Sequence, residues 1–184
     1  TLKENPYPEK VVHFIQGPPY KDDTLKRANL RGASIALITA DQNANEVRAD
    51  MNSILTLVAM KGFHPDLYCI VEILTKDQVI NAERAGADEV IETNRHASLV
   101  MLNSIHFDRV SDTMAHLLNP LNDKHLTAIK LEDHWENKKF KQLSLLLLEK
   151  NILLVGVKRK EKTHINPSLD FVIEKGDELI VIMH

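Results

Sequence analysis

A chain of 184 residues, 43% apolar and 27% charged, has enough core-forming surface for one domain, or for a domain with a small appended lobe, and is too apolar to stay disordered. Its single cysteine excludes a disulfide framework and a cysteine-based zinc site and fits a reducing compartment, while a net charge of −3 supplies no field for nucleic acid. Six glycines and seven prolines exclude collagen-like structure, and no apolar run approaches the ~20 residues that cross a bilayer.

Along the chain, strand and helix patterns alternate. Val11–Gln16 is β-rich and stops at Gly17-Pro18-Pro19. Asp22–Leu30 opens on two acids, as a helix start favours, and stops before Gly32. Ile35–Thr39 is a continuous apolar run of the kind found in strands covered on both faces. After the loop Asp41–Asn45, Asn43 is the expected N-cap, with Glu46 three residues on. Val47, Met51, Ile54, Leu55 and Val58 then form one apolar stripe of a helix that stops at Gly62. Leu67–Ile73 reads as a second buried strand, Lys76–Ala85 as a helix ended by Gly86, and Glu89–Glu92 as a short strand. This βαβαβαβ order predicts a parallel sheet of Rossmann-like α/β type.

Residues 95–118 break the alternation. Leu99, Leu102 and Ile105 form one stripe and Val110, Met114, Leu117 and Leu118 another, with His106-Phe107-Asp108 where the register slips. The pattern predicts two helices meeting at a bend, with more apolar surface than a helix lying on a sheet needs. Asn119–Lys124 is the expected linker. Beyond it the order becomes mixed α+β: a strand near Leu126–Leu131, a helix near Phe140–Lys150, a strand at Ile152–Arg159, a turn at Asn166-Pro167 and a last strand at Glu178–Met183. The domain reading is therefore residues 1–94, a helix-turn-helix over 95–119, and a small lobe over 120–184.

Enzyme signatures are mostly absent. The chain has no nucleophile elbow, no Walker A loop and no HExxH, and its nine histidines never fall at i, i+4. Cys69 lies in an apolar strand, where an inert thiol is expected. The neighbours Asp22-Asp23 and Glu132-Asp133 point apart and make poor catalytic dyads. In open α/β sheets, ligands bind outside the carboxyl ends of the strands. Those positions are Gly17-Pro18-Pro19-Tyr20, Thr39-Ala40-Asp41-Gln42-Asn43, and Glu72 with Thr75. Glu72 is the most informative, because a carboxylate inside CIVEIL must be paired, hydrogen-bonded or bound to a cation. Gly17, Thr39 and Asp41 are the candidate cofactor residues, and Glu72 with Asp41 the candidate metal ligands.

The order of motifs resembles the RCK domain, the regulator of K+ conductance of prokaryotic potassium channels and Trk/Ktr uptake subunits. The residues that carry the resemblance are HFIQG, TLKRANLRGASIALITAD, YCIVEILTKDQVINAERAGADEVI, the bent apolar pair, and VGVKRKEKTHINPSLDFVIEKGDELIVIM, together about residues 11–184. The nearest likeness is to the gating domain of Bacillus-type channels with a two-helix pore. The resemblance implies a ligand-sensing module on the cytoplasmic face of the membrane that is not an enzyme. It implies a homodimer, or a ring of dimers, coupled to a pore, with Leu99, Leu102, Ile105, Val110, Met114 and Leu117 crossing between subunits. It implies an adenine nucleotide or a divalent cation as effector, although this chain contains no G-x-G-x-x-G. Some relatives bind a cyclic dinucleotide where Lys158, Arg159, Asn166 and Pro167 stand. The calcium ligands of one relative in the family fall on Ala40, Glu72 and Leu74, so only Glu72 survives, with Asp41 one position from Ala40. The chain begins at Thr1, where the family's Gly-rich first unit has just ended, with no basic-apolar signal segment. The expectation is a fragment or a processed product. The alternatives are a freestanding Trk/Ktr nucleotide-sensing subunit and a truncated NAD-dependent oxidoreductase.

Overall fold

Three short strands, Ile35–Ile38 (β1), Tyr68–Ile73 (β2) and Glu89–Glu92 (β3), pair in parallel in the order β1-β2-β3. This is a computed structural model that describes residues 13–160 and 162–183. The chain divides into two compact units, residues 1–99 and 100–184. In the first, helices Asp22–Arg27 (α1), Glu46–Phe63 (α2) and Lys76–Arg84 (α3) accompany the parallel sheet. Its core is built from Leu25, Leu30, Ile38, Leu57, Leu67, Cys69, Val71, Ile73 and Ala82.

The expected first strand over Val11–Gln16 does not form in its described part. Residues 13–16 pair with no other strand, and the Gln16 carbonyl instead accepts from Arg27 Nη2 at 2.9 Å. A strand needs a ladder partner for its backbone groups, and none lies beside it among the described residues. Val11 and Val12 lie outside the described residues. The helix expected to reach Leu30 stops at Arg27, because Asn29 turns left-handed (φ 52°) into a short 3-10 turn over Leu30–Gly32.

Two further expectations are corrected. The β1 run is not covered on both faces: Ile35 and Leu37 are each 62% exposed, whereas Ile38 is buried. The apolar stripe of α2 is not buried as a unit either: only Ile54 packs against the core. Val47, Met51, Leu55 and Val58 are about half exposed, and the buried face carries Ala49, Asp50, Ser53, Thr56 and Leu57. The reason lies in a contact between residues far apart in sequence. A helix starts with amides that have no partner within the helix, and its N-terminus favours negative charge. At the start of α3, the buried Asp50 carboxylate accepts from Leu74 N at 2.8 Å, Thr75 N at 2.9 Å and Thr75 Oγ1 at 2.6 Å. Three donors make that acid cheaper to bury than its apolar neighbours are to align.

The cap of α2 is Asn45, not Asn43. Asn45 Oδ1 accepts from Arg48 N at 2.9 Å, while Asn43 N donates to Asp41 Oδ1 at 3.0 Å and is held in a turn. At the other end of the sheet, Lys61 Nζ donates to Leu67 O and Asp88 Oδ2, both at 2.7 Å, and the same Asp88 oxygen accepts from Cys69 N at 2.7 Å. The Lys61 hydrogen bond and the Cys69 amide hold the Asp88 carboxyl below its ordinary range, and burial pushes the Cys69 thiol up, which leaves it unreactive.

Helices Thr93–Ser104 (α4) and Val110–Leu118 (α5) are separated by a bend that ends at Arg109, itself left-handed (φ 56°). The lobe that follows is a four-stranded antiparallel sheet of His125–Lys130 (β4), Leu153–Arg159 (β5), Lys162–Ile165 (β6) and Glu178–Met183 (β7), in the order β4-β7-β5-β6. Helix Phe140–Leu148 (α6) packs on it around Trp135, Phe140, Leu143, Leu147, Val157, Leu179 and Val181. Strand β6 was not expected: it lies on the sheet edge and has no buried residue, so it carries no apolar alternation to read. Its position depends on Gly156 in β5, where a Cβ would lie 2.5 Å from the His164 carbonyl.

The facing of α2 can be checked by unfolding in urea. Leu57→Ala should cost the first unit about 2–5 kcal/mol, whereas Val47→Ala should stay within about 0.5 kcal/mol. Equal losses would mean that the exposed stripe is packed after all.

Candidate functional site

At the carboxyl end of β1 lies a cavity of about 530 Å³, bordered by Pro19, Tyr20, Leu37 to Thr39, Asp41 and the α2 residues Arg48, Asn52, Ser53 and Thr56. Two of the three candidate cofactor residues, Thr39 and Asp41, line it. Gly17 does not. It packs on α1 at φ 153°, where a Cβ would lie 2.6 Å from Thr24 Oγ1, so glycine is needed there for close approach. The Asp41 carboxylate accepts from its own loop, from Asn43 N. Ser53, only 3% exposed, is a lining residue whose buried hydroxyl has no partner among the described residues. A buried hydroxyl left unpaired is costly, and a bound polar group or an ordered water would satisfy it. The sequence reading missed Arg48, Asn52 and Ser53, because polar positions on an amphipathic helix read as its solvent face.

Glu72, the other candidate, stands in the middle strand of the same sheet. Its Oε2 accepts from Ala40 N at 2.8 Å, and its Oε1 accepts from Thr93 Oγ1 at 2.7 Å. Each carboxylate oxygen therefore holds the exit of a flanking strand. Asn94 adds a second tie, donating to Glu46 Oε1 at 2.9 Å and to Leu74 O at 3.2 Å. The cavity loop and the first turn of α4 are thus connected through side chains. No group of three or more His, Cys, Asp or Glu side chains that could hold a metal ion occurs among the described residues. Glu72 and Asp41 would need further oxygens from backbone, water or ligand to complete a calcium shell.

In the C-terminal unit, Arg159 is fully engaged. Its Nε donates to Asp177 Oδ1 and its Nη2 to Asp177 Oδ2, both at 2.8 Å; Nη1 donates to Glu174 Oε1 at 2.7 Å; and Nη2 also reaches Val172 O at 2.8 Å. The guanidinium lies 4.8 Å from the centre of the Phe171 ring. Lys158 Nζ is 3.9 Å from Glu178 Oε2. Asn166 is left-handed (φ 42°) and its amide donates to Val155 O at 2.8 Å, so Asn166-Pro167 forms the turn that leaves β6. Sequence reasoning missed Glu174 and Asp177, since nothing in their spacing points back to Arg159.

The helix pair is mostly exposed. Ile105, at the bend, is 74% exposed; Leu99, Leu102 and Met114 are also exposed, and Val110 and Leu117 are half-buried. Met101, Phe107 and Leu118 extend this apolar surface.

Comparison with known proteins places these features in one group. The profile of the calcium-activated potassium channel slowpoke-like RCK domain matches residues 3–71, and that of the TrkA-C domain matches residues 126–184. YugO of Bacillus subtilis (strain 168), named for a potassium channel, is 37% identical over 182 residues, which are 99% of this chain and 55% of YugO. The calcium-gated potassium channel TvoK of Thermoplasma volcanium is 22% identical over 93% of this chain and 50% of its own length. The human SLO3 gating ring shares the fold with a TM-score of 0.74 at 17% identity, over 92% of this chain and 36% of that one. The chain spans about half the length of the curated relatives it matches. No helix among the described residues is long and apolar enough to cross a membrane.

The Arg159 cluster makes the C-terminal unit sensitive to acid. Burial alone would raise the Asp177 carboxyl, but the hydrogen bond from Arg159, the Glu174 amide and the Arg159 charge outweigh it and hold the group below its ordinary range. A carboxyl depressed on folding stabilises fully above its unfolded pKa, and that contribution is lost as pH falls through the folded one. The melting temperature should therefore fall as pH drops below about 4. Arg159→Met should cost about 3 kcal/mol at neutral pH by leaving a buried charge unpaired. In Asp177→Asn, thermal melts should lose the Asp177 share of the acid dependence, and the curve should flatten below that pH.

Proposed function

The chain belongs to the RCK family, and we propose that it is the cytoplasmic, ligand-sensing gating module of a potassium channel rather than an enzyme. The observation that carries this reading is the Glu72 bridge. It connects the loop that borders the cavity to the first turn of α4, the helix that begins the exposed apolar pair. A ligand shifts a pore's equilibrium only through its differential affinity for two states, so a sensing site must be joined mechanically to an assembly element. In this reading residues 1–94 sense, 95–119 cross between subunits and 120–184 form the second lobe. The effector, an adenine nucleotide or a divalent cation, sits at Thr39 and Asp41, where a nucleotide would meet Arg48 and the Ser53 hydroxyl and a cation would recruit Glu72.

Assembly follows from the apolar surface. The helix pair offers a self-complementary contact for a dimer, and the exposed α2 stripe of Val47, Met51, Leu55 and Val58 offers a separate face for a ring of dimers. The match of the C-terminal unit to the TrkA-C domain supports a second reading, a regulatory subunit of a Trk/Ktr uptake system. Residues preceding Thr1 separate the two: a pore helix and filter indicate the channel, one more βαβ unit opening on a start codon the subunit.

Light scattering at ~50 μM should report a dimer for the wild-type chain, since a micromolar interface is mostly formed at that concentration. Ile105→Asp should give a monomer or an aggregate, because it would bury an unpaired carboxylate. A well-behaved wild-type monomer would end the assembly reading. For the effector, a thermal-shift panel of calcium, magnesium, ADP and ATP should raise the melting temperature with at least one probe. Glu72→Gln keeps one acceptor of its two, so it should cost about 1–2 kcal/mol and remove most of a cation-dependent shift. An undiminished shift would dismiss Glu72 as a ligand.

A further inference from the structure

We propose that the joint between α5 and β4 is a pH-sensitive contact, closed while the His116 ring is neutral and released when that ring takes up a proton. This inference goes beyond the gating reading and does not rest on it, since every residue involved lies within the C-terminal unit.

Residues 119–124 connect the two elements through one tight turn with Pro120 at its second position. Asn122 N donates to Asn119 O at 3.1 Å, and Leu121 N donates to Asn119 Oδ1 at 3.0 Å. The turn brings the Asn122 side chain back to the last turn of α5. There Asn122 Nδ2 donates to the His116 carbonyl at 2.9 Å and lies 3.1 Å from His116 Nδ1. Carbonyls in the last turn of a helix have no partner within it, so the first of these bonds satisfies one of them. On the β4 side, His125 Nδ1 lies 3.1 Å from the Asn122 carbonyl. Two histidines, one from each element, thus hold the same asparagine.

Hydrogen-bond chemistry gives the two rings different roles. A side-chain amide nitrogen only donates, so His116 Nδ1 must be the unprotonated, accepting nitrogen. Turning the Asn122 amide end for end does not accommodate the imidazolium, because the amide oxygen would then face the His116 carbonyl, a second acceptor. Only the neutral ring lets His116 accept at both places. His125 faces a carbonyl, so its Nδ1 donates in the neutral ring and in the imidazolium alike. A proton on His116 sets N–H against N–H, whereas a proton on His125 strengthens a bond already made.

The surrounding charges do not keep a proton away from His116. Asp112 stands one turn earlier on α5, and Asp123 and Lys124 follow Asn122 in the connection. Strand β4, which packs against α5, carries His125 and, at its far end, Lys130. On β7, Met183 stands opposite His125 and Glu178 opposite Lys130. An acid one turn earlier and the carboxyl end of α5 itself both favour a cation at His116, and the ring is exposed to water. Protonation is therefore electrostatically favoured and opposed by the Asn122 contact, which is what a switch requires. A contact made to the neutral ring is present above the range in which imidazoles titrate, about pH 6–7, and is lost below it. Mild acid then loosens α5 from the antiparallel sheet.

The test is heteronuclear NMR of the 184-residue chain, titrated from about pH 8 to about pH 5.5. The Asn122 side-chain amide signals should move together with the titration of the His116 ring. Solvent exchange of the Asn122 backbone amide, corrected for its intrinsic pH dependence, should become about threefold faster or more in acid. His116→Gln keeps a side-chain acceptor without a titrating group and should abolish both changes, while His125→Gln should leave both in place. Asn122→Asp offers the charged ring an acceptor and should reverse the direction, with slower exchange in acid. A wild-type joint indifferent to pH overturns the proposal. So does a response that survives in His116→Gln, one that vanishes in His125→Gln, or an Asn122→Asp chain that still loosens in acid.

Discussion

Glu72 sits on the middle strand of the parallel sheet and ties down what leaves the strands on either side. Its two carboxylate oxygens accept from Ala40 N, just after β1, and from Thr93 Oγ1, just after β3. Since a half-buried carboxylate must be satisfied on both oxygens, these two exits cannot move independently without leaving it short of a donor. The cavity border at Thr39 and Asp41 and the starting point of α4 follow from that constraint. Asp50 serves the same kind of role one layer out, where its carboxylate fixes α2 against the start of α3.

The same physics organises the second unit. Asp177 is buried with its partner Arg159, and the guanidinium reaches Glu174, the Val172 carbonyl and the Phe171 ring as well. Breaking such a pair from either side strands a charge, which is why it behaves as one element.

Apolar residues that no described neighbour covers occur on the bent helix pair and on the outer face of α2. Ile105 and Phe107 at the bend, and Val47, Met51 and Val58 along α2, are the exposed apolar residues on which the proposed assembly rests.

Element order and type were legible in the residues. The runs LYCIVEI and IALIT, the glycines after the helices and the register slip at His106 to Asp108 are local signals, and the structure places strands, helix ends and a bend there. Thr39, Asp41 and Glu72 were legible as strand-exit positions because parallel topology sends ligands to that end of a sheet. Contacts between residues far apart in sequence were not. Which face of α2 turns inward depended on donors at Leu74 and Thr75, and periodicity ranks apolarity without seeing a hydrogen-bond partner 25 residues away. The edge strand β6, the cap at Asn45, the unpaired Ser53 hydroxyl and the closure of Arg159 on Asp177 likewise depend on what the folded chain brings alongside. Sequence by itself determined the local conformations, the family and the end of the sheet that matters. Tertiary structure alone decided which polar groups are satisfied and which are left unpaired, because hydrogen bonding and charge pairing are settled by distance in space.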